Sequence, residues 1–403
     1  MSSAKLQANN DWLVWARKTA YYDIDKIAEE MNVSSDQIIE WENTGKIEYD
    51  DLVNLAKHYK RPPMIFFNTN KPAEKEPIQD FRTFDGKKVK ITPQISFELR
   101  SAEVRRKKLL HLEEESNDYQ IPKFALSDIN IKDPVEIGYF IRNEIGMNSA
   151  NMKRRDLNHW IKEVENLGIL VFQFYKIEPD DIRGYALYHD KLPIIGINGK
   201  EYVNGKKFTL FHELAHIISK KEGLSNFNKY YLENPDEIYC NKIAAEILVP
   251  SKILSNLIIS SENSTIDDNK INFLSKHFRV SKEVIIRRLL TLKFISKKEY
   301  KNKKEVWDAY ISRKETRISS SKKPKDLSND KKESEEKEKS KDPALSYKQK
   351  ATNVLNKNGS YFTKTIIKAY DDQLISKDDL VEVLGVPLEV VDEIRTRFNE
   401  EEF

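Results

Sequence analysis

Phe208-Thr209-Leu210-Phe211-His212-Glu213-Leu214-Ala215-His216-Ile217-Ile218 is an apolar run of helical character with His-Glu-x-x-His set inside it. On a helix, residues i and i+4 lie on one face, so His212 and His216 point at the same spot. Two imidazoles one turn apart can hold one Zn²⁺. Glu213 stands one residue beyond the first ligand, next to the metal but not on it. That placement suits a general base acting on a metal-bound water. A pattern this short also arises by chance, so the rest of the chain has to supply what a metal centre needs.

A zinc that keeps one place for water needs a third protein ligand. Downstream, Asp236 can cap a helix running from Glu237 to Leu248 and stopped by Pro250. It offers Glu237 and Glu246. They lie nine residues apart, about 900° of helical rotation, and therefore on opposite faces. Only one can reach the metal. Glu237 shares its face with Asn241, Ala244 and Ala245. The small residues let two helices approach closely, and Asn241 can orient the Glu237 carboxylate or a His ring. The third ligand is therefore taken to be Glu237, and Glu246 is read as a surface charge or an outer hydrogen-bonding partner. Cys240 reads as a small core residue.

The segment before the metal helix reads as two helices and a small sheet. Pro134 to Ile145 and Lys153 to Leu167 are the helices, with Leu157, Trp160, Ile161 and Val164 inward and Gly168 as the closing residue. Ile169 to Phe174, Gly184 to Tyr188 and Leu192 to Asn198 are strands by composition. The last two join at His189-Asp190-Lys191 as a hairpin. Pro193 at the start of its strand suits an edge position, and an edge strand beside a zinc helix can pair with an extended peptide. The helix of the opening motif is expected to end near Gly223. Tyr185, Tyr188, His189, Tyr230 and Tyr231 are candidates to stabilise an oxyanion.

Residues 1–70 read as four short helices. Asp11 and Asp23 can cap the first two, Ser34 or Ser35 the third, Gly45 ends the third, and Tyr49 to Tyr59 form the fourth. A tight turn between the second and third describes a helix-turn-helix. Ile27-Ala28, Val33-Ser34, Trp41-Glu42-Asn43 and Leu52 to Ala56 resemble the XRE-type helix-turn-helix of phage repressors, which implies DNA docking through the third helix. Charge weighs against it. The segment carries eight Lys or Arg against eleven Asp or Glu, and the third helix presents Asp36, Glu40 and Glu42. DNA readers gather positive charge on the docking face. Lys46, Lys57, Lys60 and Arg61 are the residues that would supply phosphate contacts. Docking of a protein, or of a second copy in a homodimer, is the other reading.

His212-Glu213-Leu214-Ala215-His216 followed by Glu237-x-x-Cys240-Asn241-x-x-Ala244-Ala245-Glu246-x-Leu248-Val249-Pro250 resembles the ImmA/IrrE metallopeptidases. Arg183-Gly184-Tyr185-Ala186-Leu187 and Pro193-Ile194-Ile195-x-Ile197-Asn198 are similar to that family as well, as is the order of an XRE-type module before the peptidase. The resemblance covers most of residues 10–300. It implies a zincin-like peptidase with one Zn²⁺ on His212, His216 and Glu237 and a catalytic Glu213. Family members cut repressor proteins and thereby induce genes in stress responses or mobile elements. Cys240 departs from the alanine found there in many members.

Composition fits this division. Of 403 residues, 39% are hydrophobic and 33% charged, which is polar for a compact globule, and the net charge of +3 is small. A lone cysteine excludes an internal disulfide and fits a reducing cytosol. The first residues carry no apolar signal region, and no run is long enough to span a membrane. The expected fold is α+β, mostly α. It comprises a helix-turn-helix domain over 1–70, a linker and long charged helix over 71–132, and a peptidase domain over 133–312. A disordered charged linker over 313–345 and a small helical domain over 346–403 complete it. In the second, Asp80-Phe81-Arg82-Thr83-Phe84 reads as an ordered element and Arg100, Arg105, Arg106, Lys107 and Lys108 as a solvated basic flank. Within the third, 265–300 is a basic helical subdomain. The functional expectation is a cytosolic zinc endopeptidase acting on a protein substrate of repressor type. The alternative is a DNA-binding regulator whose zinc domain senses without cutting.

Overall fold

The computed structural model describes residues 5–70, 91–148, 156–220, 223–225, 234–260, 266–305 and 346–401. The expected element at Asp80 to Phe84, the pair Tyr230 and Tyr231, and the linker over 313–345 lie outside them. The described residues are mostly helical, with two small sheets.

Helices α1 (Asn10–Thr19), α2 (Ile24–Met31), α3 (Ser35–Thr44) and α4 (Tyr49–Tyr59) close over a core that includes Trp12, Leu13, Ile27, Ile38, Trp41 and Leu52. Asp23 and Ser34 cap α2 and α3 through the amides of Lys26 and Gln37. The first cap is Asn9 rather than Asp11, which lies inside the first turn and donates its amide to Asn9 Oδ1. Glu42 does not face solvent as a docking charge. It accepts from Arg17 Nε at 2.7 Å and Nη2 at 3.0 Å and so ties α3 to α1. Strands β1 (Lys5–Gln7) and β2 (Lys46–Glu48) pair antiparallel beside these helices.

Helix α5 (Pro93–Glu115) is capped by Thr92. Its basic flank is only partly solvated, which corrects the reading from sequence: Arg100 and Arg105 are buried. Arg100 donates to the carbonyl of Tyr59 at 2.9 Å, and Arg105 to that of Lys357 at 3.1 Å while covering the Phe172 ring. Arg106 donates to the carbonyls of Lys191 and Leu192. Ser96 Oγ donates to the carbonyl of Thr19 at 2.8 Å. The guanidinium groups satisfy carbonyls left open at chain ends and turns, where a planar multi-donor head serves better than water. One helix thus touches the N-terminal helices, the central sheet and the C-terminal helices.

The sheet is built from β3 (Leu170–Phe174), β4 (Gly184–Leu187), β5 (Ile194–Asn198) and β6 (Gly223–Ser225), in the order β3-β5-β4-β6. β3 and β5 run parallel, and β4 is antiparallel to β5 and β6. The strand after Pro193 is therefore interior and not an edge. Pro193 lies just before it and accepts from the Leu170 amide at 2.8 Å, so its missing N–H interrupts no ladder bond. β3, β4 and β5 are buried throughout, which explains their unbroken apolar runs. Side chains alternate between two cores. Val171, Ala186, Ile195 and Ile197 face one, and Leu170, Phe172, Phe174, Tyr185, Leu187 and Ile194 the other.

The first core is covered by α6 (Pro134–Glu144), α7 (Leu157–Asn166), α8 (Val203–Ile218), α9 (Pro235–Leu248), α10 (Ser251–Ile259), α11 (Asp268–Phe278) and α12 (Lys282–Thr291), with α13 (297–305) following. The second is covered by α5 and by α14 (Tyr347–Asn358), α15 (Ser360–Asp371), α16 (Lys377–Leu384) and α17 (Leu388–Glu401). Helix α8 ends at Ile218, short of Gly223, because Ser219 turns its hydroxyl back to the Ala215 carbonyl and Lys220 adopts a left-handed φ of 54°. Gly223 instead opens β6. No described helix is long and apolar enough to cross a membrane.

Candidate metal centre

Two helices meet with their polar residues turned inward. α8 brings His212, Glu213 and His216, all buried in an otherwise apolar segment. α9 brings Glu237 in its first turn. The turn is set by Asn234, which accepts from the Asp236 amide at 2.9 Å, and by Pro235 at the first helical position. Asp236 therefore does not cap, contrary to the sequence reading; a proline at the first helical position fixes the helix start two residues earlier.

The donor atoms of His212, His216 and Glu237 converge. The two Nε2 atoms lie 3.1 Å apart, Glu237 Oε2 is 3.1 Å from His212 Nε2, and Glu237 Oε1 is 3.3 Å from His216 Nε2. A tetrahedral ion with bonds of about 2.0–2.1 Å separates its donors by about 3.3 Å. The three separations, with one carboxylate oxygen toward each ring, are close to that spacing, and among the described residues this is the group able to hold a metal ion. The electrostatics point the same way. Burial lowers the pKa of His212, which keeps its ring neutral against the pull of Glu237 and Asn241, which act to raise it. Burial also acts to lower His216, but Cys240, Glu237 and Glu213 outweigh it and push that ring well above its usual range. Glu237 is held well below the carboxylate range: burial opposes this, and His212 and His216 override it. The surroundings favour positive charge at the point where the three donors meet.

Glu213 sits beside this triangle and is fully buried. Its carboxylate lies under β4: a Cβ at Gly184 would fall 2.7 Å from Glu213 Oε1 and 2.4 Å from Thr209 Cγ2. Thr209, one turn before Glu213, donates to Glu201 Oε2 at 3.0 Å. Neither Gly184 nor Thr209 stood out from sequence as a site residue, although the i, i+4 spacing of Thr209 and Glu213 carried the signal.

Asn241 acts on His212, whose pKa it tends to raise. Glu246 does not reach the site. It accepts from the amide and hydroxyl of Ser251, both at 2.9 Å, and forms a buried ion pair with Arg288. The thiol of Cys240 borders His216 but lies outside the converging set. Tyr185 is excluded from the oxyanion role because strand alternation turns it to the far core, where its hydroxyl donates to Glu98 at 3.2 Å. Tyr188 donates to Asp190, and His189 Nε2 lies 2.7 Å from Glu103 Oε1. Lys46, Lys57 and Lys60 are exposed on the N-terminal helical unit, while Arg61 lies over the Trp15 ring at 4.4 Å.

No curated protein sequence matches the chain. Residues 164–290 match the Peptidase_M78 family model, described as the IrrE N-terminal-like domain. The matched span contains the sheet, α8, α9 and α10 to α12. The segment carrying His212, Glu213, His216 and Glu237 is thus similar to the IrrE N-terminal-like domain, and this similarity supports a metallopeptidase.

Proposed function

We propose that the chain is a zinc-dependent endopeptidase holding one Zn²⁺ on His212, His216 and Glu237. The supporting observation is the convergence of the two Nε2 atoms, 3.1 Å apart, on the Glu237 carboxylate, whose Oε2 lies 3.1 Å from His212 Nε2 and whose Oε1 lies 3.3 Å from His216 Nε2. Two imidazoles and a carboxylate also suit non-haem iron, and Glu213 decides between the two. A carboxylate placed one residue after the first histidine serves hydrolysis and has no part in binding the metal. When bound, zinc would acidify a water and polarise the scissile carbonyl.

The chain's own residues do the rest. Glu213 accepts a proton on its carboxylate and returns it to the leaving amine. Gly184 lets the β4 backbone pass within contact of that carboxylate and fixes where the proton is held. Asn241 fixes the His212 ring. With β5 interior, β6 is, among the described residues, the sheet's edge on the β4 side, and an extended substrate pairs there by strand addition.

The substrate class is a protein of repressor type, carried by the resemblance to the ImmA/IrrE family. For residues 1–70 we favour docking of a protein partner, since Asp36 and Glu40 are exposed on α3. Incubation with the repressor-like proteins encoded beside the gene tests the activity: wild type cleaves and Glu213→Gln does not. Cleavage of none of them would shift weight to a regulator that senses metal.

A further inference from the structure

A cavity of about 250 Å³ lies away from the metal donors, between the start of α8, the end of α9, and helices α6, α7, α10 and α11. Its lining joins two kinds of side chain. Arg142, Lys207 and Arg279 supply positive charge, and Trp160 and Phe278 supply flat apolar rings. No carboxylate is among the described lining residues.

Lys207 makes this more than a basic hollow. It is 6% exposed. Among the described residues the ammonium's hydrogen bond is one long contact, to the Arg279 carbonyl at 3.5 Å. An ammonium has three protons to place, and a buried one whose hydrogen bonds are incomplete is costly. Burial and the nearby Arg279 lower its pKa, and Asp156 offsets this only in part. Lys207 precedes His212 by five residues, about 500° of rotation, so it projects from a different side of α8.

We propose that this cavity binds a phosphate ester carrying a flat ring, of which a nucleoside monophosphate is the simplest case. The phosphate sits at Lys207 and Arg279, where charge-assisted hydrogen bonds complete the ammonium. The ring lies against Trp160 and Phe278. Leu248, at the end of α9, shares the lining, so one ligand touches both helices that carry the metal donors. The proposal does not depend on what the metal centre cleaves.

Calorimetric titration of the full chain with adenosine 5′-monophosphate, adenosine and inorganic phosphate tests it. The monophosphate is expected to bind, and the other two to bind about tenfold more weakly or less. Lys207→Met and Arg279→Asn are each expected to weaken the monophosphate by about tenfold; asparagine tolerates the left-handed φ of 52° at position 279. Thermal unfolding supplies the control. Lys207→Met keeps or raises the melting temperature if the ammonium awaits a ligand, and lowers it if the cation is structural. No binding of the monophosphate up to millimolar concentration would overturn the proposal. So would adenosine or phosphate binding as well as the monophosphate, unchanged affinity in Lys207→Met, or a lowered melting temperature in that variant.

Discussion

Gly184 lies so close to Glu213 that a methyl group on its Cα would come within 2.7 Å of the Glu213 Oε1 atom. The strand and the proposed base are therefore fitted to each other, and only hydrogen fits between them. Gly184→Ala should push the Glu213 carboxylate aside by a fraction of an ångström to an ångström. A displacement of that size costs about 10²-fold in rate. Metal content should stay at the wild-type level, because Gly184 touches none of the three donors. Peptidase assay and metal analysis of the same sample check this, and full activity would refute the contact.

Glu246 and Arg288 form a buried pair behind α9. Removing one partner leaves the other charge uncompensated, so Glu246→Ala should cost about 3–5 kcal/mol of stability. Glu246→Gln should cost less, since the amide oxygen can still accept from Ser251. Both should bind metal at wild-type stoichiometry. Loss of metal from folded Glu246→Gln would show that the third ligand has been misplaced.

Glu165, on α7, is buried at the start of α15 and accepts from the Tyr361 amide at 3.4 Å. Burial raises its pKa to about 8, against hydrogen bonds from the Tyr361 and Ser360 backbone and attraction to Lys162. Its folded pKa lies above the unfolded value, so the folded state binds the extra proton. The stabilisation is complete below the ordinary carboxylate range and is lost as pH rises through about 8. Glu165→Gln removes this loss. It should unfold at higher denaturant than wild type at pH above the folded value, by roughly 1–4 kcal/mol. Denaturant midpoints measured across that range decide it, and parallel curves for the two proteins would contradict the assignment.

The convergence of His212, His216 and Glu237 was legible because helical spacing fixes directions. His212 and His216 at i, i+4, and the opposed faces of Glu237 and Glu246, follow from rotation per residue alone. The caps at Asp23 and Ser34 follow from local hydrogen bonding. What sequence did not yield depends on contacts far apart in the chain. Pro193 reads as an edge signal, yet β3 joins from 24 residues upstream (Leu170 beside Ile194) and makes its strand interior. Arg100 and Arg105 read as solvated, yet the carbonyls of Tyr59 and Lys357 draw them into the fold. The three-residue strands β1 and β2 are too short to show a period. Gly184 gives no sign in sequence of the carboxylate beneath it.

Metal stoichiometry combined with cleavage in three proteins tests the central claim most directly. Wild type and Glu213→Gln should each hold one zinc, and His216→Ala little. Of the three, only wild type should cut a repressor-type substrate. Full zinc in His216→Ala, or cleavage by Glu213→Gln at the wild-type rate, would contradict a catalytic zinc held by His212, His216 and Glu237 with Glu213 as its base.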